Sequence, residues 1–168
     1  MSKMRIVKRI ICTVVATSVL IAALQASAAE TLSDILHKSK WDGFTGTWVD
    51  AETRGTHFKM TVAWKLKNWV IEITTKDSDK ETVNLMGVDQ NTGGIFHMGA
   101  DSNGFSSLGK WTVDNEGDAV QSILYGGPNG QKGAFSVRYH FEDKDTITIT
   151  VELAQPIKFK VIRAKPEK

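Results

Sequence analysis

The sequence predicts an all-β protein, an antiparallel up-and-down β-barrel of about ten strands with a short N-terminal helix. Two observations carry that prediction. Apolar and polar residues alternate with period two along segments such as THFKMTVAWKL (56–66) and DTITITVEL (145–153), the mark of strands with one dry face. Turn-forming clusters separate these segments, and most connections are far too short for a parallel crossover, which takes a dozen residues or more.

The first 28 residues stand apart. Lys3, Arg5, Lys8 and Arg9 open the chain, Ile10 to Leu24 is an apolar run, and Ala26-Ser27-Ala28 follows as a small-residue cleavage pattern. This is the layout of a secretory signal peptide, and the run is shorter than the roughly 20 residues of a spanning helix. We therefore expect 1–28 to be removed, 29–168 to form one barrel domain, and the mature protein to be secreted or periplasmic without membrane insertion. The whole-chain charge is +2; four of its basic residues and no acid lie in the leader, so the remainder carries −2. That removes the global support for a nucleic-acid partner. The one cysteine, Cys12, lies in the leader too. A cysteine-free domain suits an oxidising compartment and excludes disulfides and thiol chemistry.

Thr31 to Lys40 is the helical piece: Leu32, Ile35 and Leu36 share a face, and Thr31 or Ser33 can cap it. From Trp41 the period changes to two. Strands are expected near 44–50, 56–66, 69–76, 81–88, 94–99, 105–113, 119–125, 134–142, 146–153 and 157–164. Face matching sets registers. A Lys67-Asn68 turn pairs Leu66 with Trp69, Trp64 with Ile71 and Val62 with Ile73. A three-residue Asp143-Lys144-Asp145 turn pairs Phe141 with Ile147 and Tyr139 with Ile149, because a slip of one residue moves every apolar group to the wrong face. Ala154-Gln155-Pro156 pairs Leu153 with Ile157, which carries Arg163 to the apolar face opposite Ile147.

A long meander hides its dry face by closing into a barrel or by folding into two packed sheets. Closure places the first strand, with Trp48, beside the last, with Arg163, and a guanidinium on an indole explains an inward charge at a barrel end. Gly46-Thr47-Trp48 after a short helix, with that arginine, resembles the pattern of the calycin superfamily of lipocalins and fatty-acid-binding proteins. Within it, the chain looks most like secreted bacterial lipocalin-like domains. The resemblance implies Gly46, Trp48 and Arg163 as the barrel-closing motif and small-molecule binding as the style of activity.

The dry face carries Phe58, Met60, Trp64, Trp69, Trp111, Phe135, Tyr139, Phe141 and Phe159. These side chains either fill the interior or line an apolar cavity for a lipophilic small molecule, with Arg163 or Tyr139 reading a polar head. We take Phe58, Met60, Trp64, Trp69, Trp111, Phe135, Tyr139 and Arg163 as candidate ligand-binding residues. His57 and His140 fall on the polar face and His37 on the helix. His97 alone could point inward, and a lone histidine does not make a metal or haem site, so no cofactor is expected. DQNTGG, DSNG and DNEGD lack the six-position calcium pattern and are read as hairpin turns. GGPNGQKG is a long hairpin at the barrel mouth. No catalytic motif is present and no catalytic residue is assigned. The alternatives to binding are a filled barrel acting through its rim loops and, third, a small isomerase or lyase.

Overall fold

The computed structural model describes residues 29–165, so the leader-like segment 1–28 lies outside the described residues. Ten strands close into an antiparallel barrel in which each strand pairs with its sequence neighbours and the first with the last. They are β1 Gly46–Asp50, β2 Phe58–Leu66, β3 Val70–Asp77, β4 Lys80–Val88, β5 Ile95–Asp101, β6 Ser106–Val113, β7 Ala119–Gly126, β8 Lys132–Asp143, β9 Thr146–Glu152 and β10 Ile157–Arg163. Helix α1, Leu32–Lys38, precedes them, and Asp42–Phe44 forms one 3-10 turn, which delays the first strand to Gly46.

One end of the barrel, the base, is plugged. Thr31 caps α1 through a reciprocal hydrogen-bond pair with Asp34, and the helix buries Leu32 and Leu36. The Ser33 amide donates to Asn68 O in the β2–β3 turn, and the Trp41 indole donates to Gly117 O in the β6–β7 turn. Phe44 enters the barrel fully buried, edge-on to Trp41, Trp111 and Tyr139. Burial of these rings is the main stabilising term at this end, at about 1.5–3 kcal/mol for each large side chain.

Closure runs through the predicted motif. Trp48 pairs directly with Arg163 across β1 and β10, and the guanidinium carbon lies 4.2 Å from the indole centroid. The guanidinium also donates to Thr45 O at 3.0 Å, Gly43 O at 2.7 Å, Lys144 O at 3.0 Å and Asp145 Oδ1 at 3.0 Å. Gly46 sits at φ +135°, and a Cβ there would fall 2.5 Å from Arg163 Nη1. Both backbone and space therefore require glycine at this step.

Most registers follow the face-matching expectation: Trp64–Ile71, Val62–Ile73, Phe141–Ile147, Tyr139–Ile149 and Val137–Val151 all pair. Two ends differ. Asn68 takes φ +68°, the β2–β3 turn includes Trp69, and an extra residue in β2 pairs Leu66 with Val70. Trp69 is consequently 42% exposed on the outside, not part of the dry face. At the other end Ile157 pairs with Val151 rather than Leu153, and Val161 rather than Arg163 lies opposite Ile147. That slip of two residues keeps every side chain on its face, so hydrophobic alternation cannot detect it.

The wall itself is uneven. On β2, β8, β9 and β10 the inner face is apolar. On β4 to β7 the pattern is partly inverted: Asn84, His97, Ser107 and Gln121 point inward, while Met98, Leu108 and Leu124 stand exposed outside. Those outer residues form a direct cross-strand row, Leu85–Met98–Leu108–Leu124.

Candidate functional site

Above the plug the interior is hollow. A cavity of about 570 Å³ occupies the upper half and opens at the rim formed by the β3–β4, β5–β6, β7–β8 and β9–β10 connections. It lies off-centre, because Phe58 and Phe159 pack edge-to-face at 5.3 Å and fill the side beneath β2 and β10. Of the two interiors left open by the sequence, the lower half is the filled one and the upper half the hollow one.

One wall of the cavity is apolar, built by Ile123, Tyr125, Phe135, Val137 and Val151. The facing wall carries uncharged polar groups from five consecutive strands. Thr75 and Thr82 share a hydrogen bond at 2.5 Å, and Asn84 Nδ2 donates to Thr82 Oγ1 at 3.2 Å. Asn84 lies flat across Gly99, where an added Cβ would meet its Oδ1 at 1.9 Å. Deeper in, Tyr139 OH donates to Gln121 Oε1 at 3.0 Å, and Gln121 Nε2 contacts His97 Nδ1 at 2.8 Å. An amide nitrogen only donates, so Nδ1 is the acceptor and the ring proton sits on Nε2. That nitrogen donates to Ser107 Oγ at 3.0 Å. Gly109, on the strand between His97 and Gln121, lets β6 and β7 approach closely: an added Cβ would meet Ser122 O at 1.8 Å.

The result is a directed chain, Tyr139 to Gln121 to His97 to Ser107, that ends on a hydroxyl whose own proton points to no protein acceptor among the described residues. Burial lowers the His97 pKa to about 4, so the imidazole is neutral near pH 7, and burial pushes the Tyr139 phenol upward. The charges on the cavity lining are Lys80 and Asp101, which pair with each other at 2.8 Å at the rim. Beneath this chain, Trp111 packs on Tyr139 at 5.0 Å, and its buried Nε1 donor has no hydrogen-bond partner among the described residues.

Of the candidate ligand-binding residues, Phe135 and Tyr139 line the cavity. Phe58 is beside it, engaged with Phe159; Met60 and Trp111 are buried outside its lining; Trp64 is half-buried against the core; Trp69 is on the surface. Arg163 is at the base, outside the cavity lining, with its guanidinium engaged by backbone carbonyls and Asp145. Sequence reasoning missed Asn84, Ser107 and Gln121. The signal available was weak: once Trp111 is taken as inward, Ser107 and Gly109 follow by alternation, and pairing carries the phase to Gln121 and His97.

The remaining histidines are outside. His140 Nδ1 pairs with Asp118 at 2.6 Å, His37 with Asp42 at 3.1 Å, and His57 is exposed. The three Asp-led turns are hairpins whose leading carboxylates, Asp89, Asp101 and Asp114, accept hydrogen bonds from their own turn amides. Among the described residues no group of three or more His, Cys, Asp or Glu is placed to hold a metal ion, and no helix is long and apolar enough to cross a membrane. No protein-family model, curated protein or solved structure matches the chain.

Proposed function

We propose that this protein is a binding barrel of calycin type that holds a lipophilic small molecule in its upper interior and works in the periplasm or outside the cell. The cavity carries this reading. Its volume of about 570 Å³ lies inside the range usual for ligand pockets, roughly 300–1,000 Å³, and it combines an apolar wall with a few convergent polar groups. A bound dodecyl chain gains roughly 9 kcal/mol from methylene burial, against about 4 kcal/mol or more of lost freedom. Affinities in roughly the hundreds of micromolar follow from the difference. The location rests on the charged, apolar and small-residue layout of 1–28 and on the cysteine-free remainder. The calycin kinship rests on Gly46, Trp48 and Arg163, whose stacking is the one that resemblance implies.

The test is uptake of a neutral solvatochromic dye, Nile red, by residues 29–168 and by Val151→Trp, which fills the cavity from a half-buried position. Saturable one-to-one enhancement that disappears in the variant is expected. Equal enhancement in both proteins places the dye elsewhere and contradicts the proposal.

A further inference from the structure

Building on the binding role just proposed, we infer that the ligand is an uncharged amphiphile, with a neutral oxygen acceptor such as an alcohol or ester at one end, and that its carboxylate counterpart is rejected. The polar wall sets this selection. A carboxylate entering the cavity leaves water and needs a cation or several donors in exchange, because burying an unpaired charge is far more costly than burying a neutral polar group. Among the described residues the cavity lining offers no cation free of a carboxylate partner, and its remaining donors are neutral. Arg163, a cation on the inner face at the base, is engaged by three backbone carbonyls and Asp145. Lys80 is at the rim and neutralised by Asp101. Deeper in, Tyr139, Gln121, His97 and Ser107 are hydrogen-bonded in a chain and Asn84 donates to Thr82, which leaves the Ser107 hydroxyl proton at the end of the chain, beside the second amide N–H of Asn84, for an incoming neutral oxygen. A cationic head fares no better, since Asp101 is held by Lys80 and by the amides of Asn103 and Phe105.

The experiment compares three probes of one chain length, 1-dodecanol, methyl dodecanoate and dodecanoate, titrated calorimetrically at pH 7.5 into residues 29–168. The alcohol and ester are expected to bind at least about tenfold more tightly than the carboxylate. Ser107→Ala should weaken the two neutral probes about fivefold, the usual worth of one hydrogen bond. Val151→Trp should abolish all binding. Dodecanoate binding as tightly as the alcohol, and lost in Val151→Trp, overturns the neutral-head inference while the binding role survives. Binding of none of the three overturns both. Equal affinities of the wild type and Ser107→Ala for both neutral probes also overturn the inference, and thermal melting of each variant shows that the comparison is between folded proteins.

Discussion

The base and the upper half of this barrel are built from the same alternating strands but do opposite work. In the base, Leu32, Phe44, Trp48, Met60, Ile71, Ile147 and Val161 are 0–1% exposed, and the plug and Arg163 tie down the β2–β3, β6–β7 and β8–β9 turns. In the upper half the inward side chains Tyr125, Phe135 and Val151 remain half-exposed because nothing fills the space between them. A ten-stranded barrel is wider than side chains alone fill. The plug solves that at one end and leaves the other end free for cargo. Stability should therefore be concentrated below and selectivity above.

The largest expected effect is at the base. Phe44→Ala removes a fully buried ring that touches three others and should cost about 3–5 kcal/mol in urea unfolding. Arg163→Met comes next: it removes the donor to the part-buried Thr45 carbonyl and the indole stack, while water replaces it at the exposed Gly43 and Lys144 carbonyls, with an expected loss of about 1–2 kcal/mol. A base no more sensitive than the upper half would break the division of labour. In the upper half, Val151→Trp should change stability by less than about 1 kcal/mol while removing ligand uptake.

The alternation that revealed the barrel is strong where one face is dry and the other wet, as in β2, β8 and β9, and there the β2–β3 and β8–β9 pairings were legible almost residue by residue, while the β9–β10 register came out two residues off. Closure was legible as well, from three residues, because glycine, indole and guanidinium each have a steric or electrostatic reason to be there. The cavity was not. In AVQSILYG, residues 119–126, both faces carry comparable apolar content, so the phase that points Gln121 inward has no hydrophobic signature. Trp69 misled for the opposite reason: a large aromatic beside a turn looked like core, and the extra residue near Lys65 put it outside.

A smaller effect sharpens the comparison through pH. The His97 pKa is about 4 in the folded protein, against 6.5 ordinarily, because burial disfavours the imidazolium. The unfolded chain therefore binds this proton more readily. Its contribution to stability is fully present above about pH 6.5 and is lost as pH falls towards 4. His97→Gln should flatten the dependence of unfolding free energy over that window. A wild-type curve already flat between pH 6.5 and 4 would remove His97 from the buried polar wall.

Methyl nuclear magnetic resonance of residues 29–168 during addition of 1-dodecanol tests containment most directly, because it reads the inside and the outside of the wall in one spectrum. Shifts at Ile123, Val137 and Val151, with Leu108 and Leu124 unmoved, are the expected result. Shifts confined to Leu108 and Leu124, with the interior methyls unchanged, would mean that the molecule is held on the outer face and that the hollow interior is not its site.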